Sequence, residues 1–146
     1  MKTIELTTEA LVQARQAVGE LMKEGRPFRI GLALRRVARQ IEPAVQDAGE
    51  MERAIVERHA RRDDGGLPVP GRDAEGQPQP GTVELADPQA CHAELDALRR
   101  TRVRVQVEPL TLEELREPGP DVAPWVLLAL GELIDEGAGD DDGAVG

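Results

Sequence analysis

At 146 residues, 40% hydrophobic and 32% charged with a net charge of −10, the chain has the size and polarity of one soluble domain. Its aromatic residues are Phe28 and Trp125, so the core must be built from Ala, Val, Leu and Ile, which suits packed helices better than a β-sandwich. The absence of Ser and Asn excludes serine nucleophiles and Ser-based phosphate loops, and a single cysteine, Cys91, excludes an internal disulfide and a multi-cysteine zinc site.

Residues 2–6 alternate polar and apolar, with Ile4 and Leu6 on one side, and predict a short strand. Thr7 or Thr8 caps a helix that runs to about Glu24 on the apolar steps Leu11, Ala14, Val18 and Leu21. Gly25 suits the stop and Pro27 the first turn of the next helix. That helix extends to about Arg61 on an a/d seam of Ile30, Leu34, Val37, Ile41, Ala44, Ala48, Met51 and Ile55. Pro43 interrupts it, which predicts a kink near Arg39–Pro43. The first helix is too short to cover the whole seam. Ala48, Met51 and Ile55 therefore need either the C-terminal region or a second copy of the chain, and a homo-oligomer is expected.

Residues 63–81 are polar and rich in Gly and Pro, and are expected to form a flexible loop or loose hairpin. Asp87 and Pro88 open a short helix to about Arg100. Residues 101–107 alternate strictly, with Val103, Val105 and Val107 on one face, and should pair either with 82–86 or with 2–6. Thr111 and Glu114 have capping-box spacing. A last helix from about Ala123 to Glu136 carries Val126, Leu127, Leu130, Leu133 and Ile134 on a wide apolar face, and an acidic tail at 137–146 is expected to be disordered. The expected fold class is α+β, mainly helical: a kinked antiparallel helical hairpin with a two- or three-stranded sheet and short C-terminal helices. Residues 1–62 form the strand and hairpin, and 82–136 pack on them as an α/β part of the same domain.

Charge divides the chain unevenly: residues 1–62 balance at +3 and residues 63–146 at −13. The acidic total argues against general nucleic-acid binding. Neither an apolar leader nor a membrane-length apolar run is present, so a cytoplasmic protein is expected. His59, His92 and Cys91 lack the spacing of a catalytic pair or a zinc site, and the paired acids suit solvated faces. No catalytic residue, metal or cofactor is therefore expected. The unusual feature is arginine placement. Arg26, Arg29, Arg35, Arg36 and Arg39 occupy fourteen residues with no acid among them. On a helix Arg29, Arg36 and Arg39 fall close together, as do Arg35 and Arg39, and planar guanidiniums suit phosphate or carboxylate. The competing expectation is that acids from elsewhere, such as Glu5, Glu42 or the acidic C-terminal half, neutralise them. If a ligand is bound, Arg29, Arg35, Arg36 and Arg39, beside the kink at Pro43, are the candidate site.

The order RPFRIGLALRRVARQIEPAVQDAGEMERAIVERHA, then RRDDGG, CHAELDAL, EPLTLEEL and APWVLLALGELIDE resembles a family of small phage and prophage proteins of unknown function. The likeness spans nearly the whole chain except residues 67–81 and the tail; the Pro-rich insertion before Thr82 departs from it. The resemblance implies phage origin, a helical hairpin and a small C-terminal α/β part, and supplies no catalytic residues. It implies the cytoplasm of a bacterial host as the location. The function expected is a non-enzymatic, oligomeric phage accessory protein that captures a small anionic, nucleotide-like ligand such as a host anti-phage signal. The alternative is a structural virion or tail-assembly component, which would place it in the virion.

Overall fold

The computed structural model describes residues 1–23, 25, 27–115 and 122–135. Its elements in chain order are β1 (Lys2–Thr7), α1 (Thr8–Met22), α2 (Phe28–His59), β2 (Pro70–Arg72), β3 (Pro78–Val83), α3 (Pro88–Arg100), β4 (Arg102–Val107), β5 (Leu110–Thr111), α4 (Leu112–Leu115), α5 (Pro124–Leu130), a 3₁₀ turn (Gly131–Leu133) and β6 (Ile134–Asp135). Helix dominates and the strands form small two-stranded sheets, so the fold is α+β and mainly helical. The chain divides into two compact units, one of Met1–Gln46 with Thr101–Gly146 and one of Asp47–Arg100. α2 contributes to both units.

In the first unit, α1 and the first part of α2 bury one apolar face each: Leu11, Ala14, Ala17, Val18 and Leu21 from α1, and Ile30, Leu34, Val37 and Ile41 from α2. β1 and β4 pair antiparallel, with Ile4 opposite Val105 and Leu6 opposite Val103. Period-two alternation sends Ile4, Leu6, Val105 and Val107 into the same core. The valine strand thus takes residues 2–7 as its partner. On the outer face Glu5 bridges Arg102 and Arg104 at 3.5 and 3.6 Å. The two threonines at the strand–helix junction divide two tasks. Thr7 caps α1, its hydroxyl accepting from the Ala10 N–H at 3.1 Å. Buried Thr8 donates both its N–H and its hydroxyl to the Thr101 carbonyl, at 2.8 and 2.9 Å. Pro43 lies inside α2 without ending it.

The capping box is made reciprocally: the Glu114 N–H donates to the Thr111 hydroxyl at 3.1 Å and the Thr111 N–H to the Glu114 carboxylate at 2.9 Å. The last helix is shorter than the apolar pattern predicts. It ends at Leu130, Gly131 turns the chain at φ +39°, and Ile134 joins β6 in a parallel pair with β5. Val126, Leu130 and Leu133 are buried, but Leu127 faces out. Glu136 and the acidic tail lie outside the described residues.

In the second unit, Ile55 of α2 packs with Cys91 and Leu95 of α3, with Val56, Leu85 and Leu98 around them. The seam beyond Pro43 thus finds cover for Ile55 inside the chain, while Met51 stays 56% exposed. Asp87 caps α3, accepting from the Ala90 N–H at 3.2 Å. The Gly/Pro-rich segment between α2 and α3 contains β2 and most of β3, paired antiparallel.

Candidate functional site

The arginines of α2 fall into two groups. Arg29, Arg35 and Arg39 are exposed, whereas Arg36 is half-buried. Arg26 lies outside the described residues. Arg36 is committed to the fold: its Nη2 donates to the carbonyls of Glu108 and Pro109 at 3.0 and 3.5 Å. One turn on, the Gln40 amide oxygen accepts from the Glu108 N–H at 2.9 Å. Residues i and i+4 of one helix thus hold both backbone polar groups of Glu108 at the end of β4. Buried Arg36 Nε has no hydrogen-bond partner. Sequence inspection missed Gln40, because its role depends on which loop the fold brings to that helical face.

Arg35 and Arg39 form no ion pair or side-chain hydrogen bond among the described residues. Two of the acids expected to neutralise them, Glu42 and Glu5, are engaged elsewhere. Glu42 pairs with Arg15 at 2.8 Å, and Glu5 with the two arginines of β4. Exposed Leu32 lies on the same helical face as Arg29, Arg35 and Arg39.

An open groove of about 450 Å³ beside Arg36 is lined by Lys2, Glu108, Thr111, Glu114 and Asp135 among others. Its walls come from β1, Arg36 of α2, the β4–β5 turn, β5, α4 and β6, and Pro43 does not line it. Two cations meet three carboxylates there, so the groove is bipolar rather than a purely basic cradle. Of the four candidate arginines it contains Arg36 alone.

A separate polar cluster lies in the second unit. Arg58 donates to both oxygens of Glu94 at 3.3 and 2.7 Å, and His59 Nε2 lies 2.6 Å from Glu94 Oε1. The His59 hydrogen bond, then the Arg58 pairing, hold the Glu94 carboxyl below the usual carboxylate range. Cys91 is fully buried in the small apolar cluster beside Ile55. A thiol sealed in apolar surroundings is a poor nucleophile. No group of three or more His, Cys, Asp or Glu among the described residues is placed to hold a metal ion.

The first unit also exposes an apolar strip on α5. Trp125 is 49% and Leu128 83% exposed, and with Ala129, Gln13 and Gln16 they line a shallow groove of about 350 Å³. No described helix is long and apolar enough to cross a membrane. No known protein family, curated protein or solved structure matches the chain.

Proposed function

We propose that this chain is a non-enzymatic binding module that captures a small anionic, nucleotide-like ligand on the exposed arginine face of α2. The supporting observation is that Arg35 and Arg39, one helical turn apart in a chain of net charge −10, are exposed and unpaired among the described residues. Unpaired like charges at i and i+4 repel by a few tenths of a kcal/mol, and an anion between them removes that cost. Each exposed guanidinium contributes about 1 kcal/mol or less to a bound phosphate, so useful affinity needs several forks at once. Two copies of the chain around one ligand meet that requirement, which ties the ligand to homo-oligomerisation. The resemblance to phage proteins makes a host signalling nucleotide the expected ligand.

Calorimetry against cyclic nucleotides and ADP-ribose derivatives tests this. The double variant Arg35→Ala, Arg39→Ala should lose binding while helix content and particle size stay unchanged. Arg36 is left intact because it clamps the β4 end. Absence of heat with the wild type, or equal heat with the double variant, removes the proposal.

A second reading, a virion or tail-assembly component, is favoured by the exposed Trp125–Leu128 strip, since apolar surface of that kind suits a permanent partner. It is separated by mass spectrometry of purified particles: an assembly component is present in them, a sequestering protein absent.

A further inference from the structure

The segment between α2 and α3 carries an internal repeat. Residues 62–71 read RDDGGLPVPG and residues 72–81 read RDAEGQPQPG, identical at six of ten positions. The turns of the two stretches also fold alike, bond for bond. In the first, the Asp63 N–H donates to the Leu67 carbonyl at 2.9 Å, and the Gly66 N–H to the Asp63 carbonyl at 2.9 Å. Asp63 Oδ1 accepts from the Gly65 and Leu67 N–H groups at 2.9 and 3.0 Å, and Arg62 Nη1 donates to the Gly66 carbonyl at 3.1 Å. In the second, Asp73 and Gln77, then Gly76 and Asp73, make the same backbone bonds at 2.9 and 3.0 Å. Asp73 Oδ1 accepts from the Glu75 and Gln77 N–H groups, both at 2.9 Å, and Arg72 Nη1 donates to the Gly76 carbonyl at 2.7 Å. The fifth-position glycines match as well, with φ +81° at Gly66 and +79° at Gly76. Only glycine adopts that conformation freely, as the bulge closing such a hairpin requires. Strand register agrees too: Arg62 faces Pro68 and Arg72 faces Pro78.

Apart from the tenth-position glycines, of which Gly81 has φ +82° and Gly71 lies in β2, the shared residues are those the turn needs. Asp supplies the side-chain acceptor, Gly the left-handed position, Arg the clasp on the glycine carbonyl, and the prolines remove N–H donors that would leave open strand edges. The exchanged pairs, Asp64/Ala74, Gly65/Glu75, Leu67/Gln77 and Val69/Gln79, make none of these bonds through their side chains, and all but Val69 are exposed. No residue from 61 to 84 belongs to either hydrophobic cluster among the described residues. We infer that residues 62–81 are a tandem duplication of a ten-residue hairpin unit whose turn is closed by its own local hydrogen bonds, so that its outward residues vary without cost to the fold. Leu67, 66% exposed on the first tip and replaced by Gln77 on the second, makes the two tips chemically distinct.

The test is excision of residues 72–81 from the full chain, which joins Gly71 to Thr82 as Gly81 is joined natively. The expected result is an unchanged helical signal, a thermal midpoint within about 3 °C of wild type, and retained exchange protection of the Leu67 amide. Loss of helix or of that protection overturns the inference. Asp73→Ala and Asp63→Ala provide the second arm. Asp73→Ala should speed exchange at Glu75 and Gln77 by about fivefold and leave Gly65 and Leu67 unchanged, with the mirror result for Asp63→Ala. If either substitution loosens both tips, the units are not independent and the inference fails.

Discussion

Arg36, one of the candidate ligand-binding arginines, also serves as a clamp on the end of β4. Its guanidinium and the Gln40 amide hold the carbonyl and N–H of Glu108. Water reaches this end of β4, so each loss is partly replaced. Gln40→Ala is expected to cost about 0.5–1.5 kcal/mol in urea unfolding. Arg36→Ala should cost no more, because it also removes the orphaned Nε. Glu94 provides the pH dependence. Its carboxyl is held low by His59 and Arg58, so the folded state prefers the charged form. The resulting stability is complete above the ordinary carboxylate pKa and is lost as pH falls through the lowered value. Urea midpoints measured downward from about pH 5 should fall more steeply in wild type than in Glu94→Gln.

At the scale of elements, local signals located most boundaries and long-range packing corrected the rest. Thr7 was one of two possible caps for α1. The fold chose it because Thr8 is needed by the Thr101 carbonyl. Thr7→Ala should therefore cost about 1 kcal/mol. Thr8→Val should cost a similar amount by a different route, the loss of a buried hydroxyl donor. The α2–α3 contact rests on a small cluster. Leu95→Ala should destabilise the second unit by about 2–3 kcal/mol, seen as a lower thermal midpoint. The repeat at 62–81 was visible in the letters, yet the segment's Gly, Pro and polar content describes loops in general. Its ten-residue period gains meaning once both turns are seen to share one bonding scheme.

For the whole molecule, the expectation of self-association began from the uncovered seam at Ala48, Met51 and Ile55. α3 packs against Ile55, while Met51 of the same seam stays exposed. The α5 strip is a second exposed apolar surface. Trp125 is the chain's single tryptophan and half-exposed, and so reports on that strip directly. If copies associate through α5, acrylamide quenching of its fluorescence should weaken as protein concentration rises into the range where light scattering detects the oligomer. Quenching that stays constant across that range places any interface elsewhere.

The sequence by itself determined what depends on neighbours along the chain. Helix seams, threonine and aspartate caps, the Thr111–Glu114 box and the valine strand follow from spacings of two, three or four residues, over which backbone geometry dictates who meets whom. It also determined the arginine-rich, acid-free stretch 26–39 at the start of α2. Only the tertiary structure decided that residues 102–107 pair with 2–7 and not with 82–86, that α3 covers Ile55, and that Arg36 turns toward the β4 end while Arg35 and Arg39 face outward. Those outcomes depend on contacts between residues tens of positions apart. Their energies are set by which surfaces meet, and periodicity along one segment carries no record of the segment opposite.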